Sequence, residues 1–182
     1  MPTLIDELRT TEPNAAFQER HFKYSSCEEL VLKEGQQFHP RSLTQAQDRA
    51  ISNALAALTE PLELKECFAN SQRLLFNLPP TYVYVEGYVK RHRAPPILHG
   101  WLHVDGTVID PTVPPEGTSA RDLSVNPVMV RGQYQGREYY GIPIPREYVR
   151  EYVLKTKAWG TVIDNWEEMF PLLRDGLPGK CA

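Results

Sequence analysis

Cys67, His99 and Asp110 are the side chains whose types and order could do covalent chemistry. A thiol is a strong nucleophile only as the thiolate. It needs a neighbour that takes its proton and holds the resulting charge. An imidazole does both, and a carboxylate fixes that imidazole's tautomer and orientation. The stretch His99-Gly100-Trp101-Leu102-His103-Val104-Asp105-Gly106-Thr107-Val108-Ile109-Asp110-Pro111-Thr112 carries the last two groups. Asp105-Gly106 is a two-residue turn signal, because both central positions of a type I′ turn need positive φ. Such a turn pairs Val104 with Thr107, His103 with Val108, Leu102 with Ile109, and Trp101 with Asp110. Side chains alternate along strands, so His99, Trp101, His103, Val108 and Asp110 share one face. His99 and Asp110 then become diagonal neighbours about 7–8 Å apart at the backbone, within reach of an imidazole–carboxylate hydrogen bond.

The elements around this hairpin must bring the sulfur to the ring. Leu64, Cys67, Phe68, Ser71, Leu74, Leu75 and Leu78 recur at helical spacing. They predict a helix that begins just before Cys67 and turns it inward. A thiol at a helix N-terminus gains from the macrodipole, which favours the thiolate. A buried cysteine is also a common small hydrophobe, and that alternative stays beside the nucleophile. Tyr82 to Val89 predicts a strand. Tyr82, Tyr84, Glu86 and Tyr88 lie on one face of it, with Val83, Val85 and Val89 on the other. A salt bridge, for example to an arginine, is the plain explanation for Glu86 among aromatics. Tyr84, Glu86, Trp101 and Asn70 are the candidates for substrate binding or for stabilising an oxyanion.

Upstream, Ala50, Ile51, Ala54, Leu55 and Leu58 predict a helix over 44–59 that ends before Pro61. Residues 1–43 have weak periodicity and read as an N-terminal arm, with a short helix near Thr3 to Arg9. Downstream, Pro111, Pro114 and Pro115 forbid a long central strand. Residues 113–127 read as a loop, and Val128 to Val130 and Glu138 to Ile144 as strand pieces. A helix follows Pro145. A last one over Asn165 to Arg174 is bent or ended by Pro171. The expected organisation is one domain over 1–182: the arm at 1–43, a catalytic core at 44–144, and C-terminal helices with a tail at 145–182.

Cysteine at a helix start, a strand with His-x-Trp, and a strand ending in Asp-Pro-Thr resemble the transglutaminase-like branch of the papain-like cysteine enzymes. The similarity covers roughly residues 62–113. The chain is also similar to small proteins of bacteria and their phages that carry a Tyr-Val-Glu-Gly-Tyr strand, here Tyr84 to Tyr88. The resemblance implies an α+β fold with an antiparallel sheet packed against the helix that carries Cys67. It implies a Cys67-His99-Asp110 triad that cleaves or transfers an amide acyl group through a thioester. Peptidase, amidase, deamidase and transglutaminase-type activities all fit that outline. Papain-like peptidases place a glutamine shortly before the cysteine, and Pro61 to Glu66 has none.

The chain has 182 residues, 41% of them hydrophobic and 24% charged, which is enough to bury a core. A net charge of −3 gives no electrostatic case for nucleic acid or an anionic membrane. No apolar run has the length of a membrane span. Cys27, Cys67 and Cys181 are widely spaced and odd in number, which argues against a disulfide framework and for a reducing, cytoplasmic setting. The expected partner is a protein, peptide or small amide substrate, with no cofactor; composition is silent on oligomeric state. His99, His103, Cys67 and Asp110 lack a standard zinc spacing, so no metal ligand is assigned. The alternatives are a zinc-binding hydrolase and a non-catalytic binding or inhibitory module on the same fold.

Overall fold

In the computed structural model Asp105 and Gly106 have φ of 46° and 79°, the pair of positive values that a type I′ turn requires. The structure describes residues 2–91, 93–112, 130–131 and 137–179. The expected loop at 113–127, the strand residues 128–129, and Cys181 lie outside the described residues.

The turn joins β3 (Ile97–Val104) to β4 (Thr107–Asp110). Leu102 faces Ile109, His103 faces Val108 and Val104 faces Thr107, the register the turn predicts. The other strands are β1 (Gln36–Phe38), β2 (Val83–Arg91), β5 (Val130–Arg131) and β6 (Arg137–Ile144). Among the described residues, with β3 and β4, they form one six-stranded antiparallel sheet in the order β1-β6-β2-β3-β4-β5. The helices are α1 (Leu4–Leu8), α2 (Ala15–Glu19), α3 (Cys27–Glu34), α4 (Gln45–Ala56), α5 (Cys67–Asn77), α6 (Arg146–Thr156) and α7 (Pro171–Asp175). The chain is therefore an α+β protein.

Alternation divides the side chains of the sheet into two sets. Tyr84, Tyr88, Leu102, Val104, Ile109, Ile142 and Ile144 join Leu30, Ile51, Leu74, Leu75, Val149 and Leu172 from the helices in the main core. Val85, Val89, Trp101, Val108 and Tyr139 form a second cluster with Phe38. Burial of this kind stabilises by roughly 25 cal/mol per Å² of apolar surface and is what holds helices to sheet.

Of the close approaches that need glycine, two involve the motif His99-Gly100-Trp101. A Cβ on Gly100 would lie 2.9 Å from the Tyr84 hydroxyl and 3.3 Å from the Phe68 Cα. Its absence lets the first turn of α5 sit against β3. A Cβ on Gly141 would lie 2.5 Å from the Trp101 ring. In the motif His99-Gly100-Trp101, the glycine thus admits the helix while its neighbours point to the other set.

Residues 1–43 are more than an arm. The hydroxyl of Ser26 caps α3 through the Glu29 N–H at 3.0 Å. β1 then adds to the sheet beside β6. Near the other end, Pro171 starts α7 rather than bending a longer helix, because Met169 and Phe170 take positive φ immediately before it.

Candidate active site

The hairpin register places His99 and Asp110 in the same set of side chains as Trp101 and Val108. The His99 Nε2 and Asp110 Oδ2 atoms are 2.7 Å apart, with Asp110 fully buried and His99 5% exposed. The Thr112 N–H donates to Asp110 Oδ1 at 3.1 Å, and the Tyr139 hydroxyl donates to Oδ2 at 3.2 Å. Donors from β3, β6 and the turn after β4 therefore help to fix the carboxylate plane.

Cys67 opens α5, and its 7% exposed side chain lies beside the His99 ring. Asp110 occupies Nε2, so the ring's other nitrogen, Nδ1, is the one not engaged by the carboxylate. Burial alone would push the imidazole down. The Asp110 charge and hydrogen bond outweigh burial, Cys67 acts in the same direction, and His99 is raised to about 10. The pair is thus built to keep the imidazole charged.

No side chain caps the start of α5, so its first N–H groups keep their positive partial charge for the sulfur and for whatever approaches it. The turn into the helix is held from within. Lys65 takes φ of 68° two residues before the cysteine. Asn70, fully buried, accepts from the Glu63 N–H at 3.0 Å and donates to the Glu63 carbonyl at 2.6 Å. It also donates to the Thr112 hydroxyl at 3.2 Å. Asn70 therefore ties the cysteine's helix to the turn that holds Asp110. Its donors and acceptor are spent inside the protein rather than offered to a substrate.

The other candidates have structural engagements too. Trp101 is fully buried, T-shaped against Tyr139 and Phe38 at 5.3 and 5.7 Å, and stacked at 6.4 Å from His99. It supports the ring from within the core and presents no surface to a ligand. Among the described residues, Glu86 has no arginine partner. Its carboxylate accepts from the Tyr84 hydroxyl at 2.9 Å, from the Thr161 hydroxyl, and from the Val162 and Ile163 N–H groups at 2.8 and 3.1 Å. Burial outweighs those donors and raises its carboxyl to about 7. Tyr84 has one proton, and Glu86 takes it, so Tyr84 has none for an oxyanion. His103 packs edge-on to Phe38 at 4.9 Å, and burial holds it below the ordinary imidazole range.

Sequence reasoning missed Tyr139 and Thr112 as partners of the acid. Thr112 sits two residues after Asp110, the spacing of an Asx-type turn, and that signal was available. Tyr139 carries no local signal, because the contact depends on how far β6 curls toward β4. Among the described residues, no group of three or more histidine, cysteine or acidic side chains is arranged to hold a metal ion, and no helix is long and apolar enough to cross a membrane. No family model, curated protein or solved structure matches the chain.

Proposed function

We propose that this chain is a cysteine-dependent amide acyl hydrolase or acyltransferase, with Cys67 as nucleophile, His99 as proton carrier and Asp110 as the group that orients His99. The observation that carries the reading is the buried His99–Asp110 contact of 2.7 Å, with Cys67 close enough to the same imidazole to raise it. Its resemblance to the transglutaminase-like and papain-like enzymes adds to it, and the antiparallel sheet packed on the cysteine's helix is compatible with their core.

In the proposed reaction the thiolate attacks an amide carbonyl carbon and a C–S bond forms. The Cys67 N–H at the uncapped helix start faces the developing oxyanion. The imidazolium gives its proton to the leaving nitrogen, the C–N bond breaks, and an amine departs. A thioester and neutral His99 remain. His99 then takes a proton from water or from an acceptor amine, whose lone pair attacks the thioester carbon. The C–S bond breaks and the thiolate–imidazolium pair returns. Water gives a carboxylic acid, and an amine gives a new amide. A free thiol of this kind suits a reducing compartment, and a cytoplasmic setting is part of the proposal.

Alkylation by iodoacetamide near neutral pH tests it. Burial first, then nearby acidic groups, hold the Cys27 thiol far above the ordinary range. Cys67 is expected to label at least about tenfold faster than Cys27 or Cys181, and Cys67→Ala to abolish capture by peptide thiol-traps. Equal slow labelling of all three cysteines would overturn the proposal and favour a binding module.

A further inference from the structure

Asp110 Oδ2 serves two donors. His99 takes it at 2.7 Å and the fully buried Tyr139 hydroxyl takes it at 3.2 Å. Tyr139 comes from β6, whereas His99 and Asp110 come from β3 and β4, which lie two and three strands away in the sheet order. Its phenol ring also packs against Trp101, the side chain stacked on His99. Tyr139 therefore touches the dyad from both sides: by a hydrogen bond to the acid and by an aromatic contact to the indole beneath the imidazole.

We infer that Tyr139 is a positioning residue for the thiol–imidazole pair, one that holds the Asp110 carboxylate in plane and tempers its pull on His99. The inference rests on the proposed roles of Cys67, His99 and Asp110. Its physical basis is competition at one oxygen. A hydroxyl that donates to Oδ2 draws charge from the atom that faces the imidazole, so Asp110 holds the His99 proton less tightly than an unshared carboxylate would. His99 must give that proton to the leaving nitrogen, and general acid catalysis weakens when a proton is held too tightly. Among the described residues, the titratable and charged groups facing this cluster include Asp110 on β4, Tyr139 and Arg137 on β6, and Cys67 on α5; Arg137 and Asp110 both act on Tyr139. The same hydrogen bond keeps Tyr139 protonated, since burial and the Asp110 charge both push the phenol far above its ordinary range.

The test is the titration of His99, followed by NMR in the full-length protein labelled at histidine, beside the pH dependence of Cys67 alkylation. Tyr139→Phe keeps the ring and removes the hydroxyl. The expected result is an upward displacement of the His99 titration by roughly half a pH unit or more, with the alkylation profile displaced in the same sense. In Asp110→Asn, the same tyrosine substitution is expected to leave His99 where it was. A folded Tyr139→Phe whose His99 titration is unmoved, or moves downward, overturns the inference, because a purely structural tyrosine would change stability alone. If Tyr139→Phe does not fold, the wild-type protein decides. A hydroxyl proton protected from exchange, with a cross-peak to the His99 ring, supports the inference; a freely exchanging one overturns it. The failures are separable. A wild-type His99 that titrates at its ordinary value, with Cys67 no more reactive than Cys27, defeats the cysteine-enzyme proposal itself. A raised wild-type titration that Tyr139 does not influence defeats this inference alone.

Discussion

A buried carboxylate that accepts from several groups has its geometry decided before any substrate arrives. At Asp110 these include His99, Tyr139 and the Thr112 N–H. Asp110→Asn preserves the shape and removes the charge. The burial that opposes a charged His99 stays in place while the main force against it is lost. His99 is then expected to fall from about 10 to below its ordinary value. In the wild-type protein His99 keeps its proton until the pH nears 10. In the variant His99 is neutral at neutral pH, and, on the proposed roles, Cys67 alkylation is expected to slow by about a hundredfold or more. Rates measured from pH 5 to 10, with circular dichroism to confirm the fold, check this. Sequence parity was sufficient to align His99 with Asp110 because both lie on one short hairpin with a well-specified turn. Parity also grouped Tyr84 with Glu86, but it could not reveal what covers that face. The segment at Thr161 to Ile163 meets them from 75 residues further along the chain in the case of Thr161 and Glu86, so their engagement was invisible locally.

Helix α5 and its entry show how an element is aimed. Leu74 and Leu75 seat it in the core, Gly100 lets its first turn approach β3, and Asn70 locks the incoming chain at Glu63. The helix was legible from its apolar spacing, as were α4 and the start of α6. The strands β2, β3 and β4 were legible from alternation and the Asp105-Gly106 turn. By contrast, α3 and β1 were not. Leu30 and Val31 are adjacent rather than spaced, and β1 buries only Phe38 of its three residues, so neither has a periodic signature. Asn70 looked like a ligand-facing amide because its type and nearness to Cys67 suggest one. Its role is fixed by Glu63 and Thr112, whose meeting depends on tertiary structure. Asn70→Ala is expected to remove both side-chain hydrogen bonds to the Glu63 backbone and to cost about 0.5–1.5 kcal/mol of stability. It also loosens the Cys67–Asp110 spacing, so alkylation at Cys67 should slow even under conditions where the variant remains fully folded. Urea unfolding beside labelling rates separates the two effects. A variant that keeps wild-type stability and wild-type labelling would show that Asn70 does not position the site.

Across the whole molecule, two buried groups give stability a slope against pH in the same direction. Glu86 is raised from the ordinary 4.5 to about 7 by burial, against the donors of Tyr84, Thr161, Val162 and Ile163. The folded protein therefore holds a proton that the unfolded chain gives up between those values. The contribution is intact below 4.5, declines as pH rises through 7, and amounts to roughly 3 kcal/mol at its full extent. His99, raised from 6.5 to about 10, supplies stability that is present below 6.5 and lost as pH rises through 10. Glu29 works the other way. Hydrogen bonds from Lys33 and Ser25 lower it to about 2, so its smaller and partly solvent-screened contribution is present above 4.5 and lost as pH falls toward 2. The thermal midpoint is thus expected to be highest in mildly acidic solution and to drop by several degrees between pH 5 and 9. Glu86→Gln removes the group that titrates and should flatten the profile between about 4.5 and 7 while leaving the alkaline decline in place; Asp110→Asn should abolish the alkaline decline and, with His99 below its ordinary value, offset part of the Glu86 decline below 6.5. Calorimetric scans of the three proteins across that range decide the matter, since a Glu86→Gln profile parallel to wild type would mean that the clasp at Thr161 to Ile163 holds Glu86 ionised throughout.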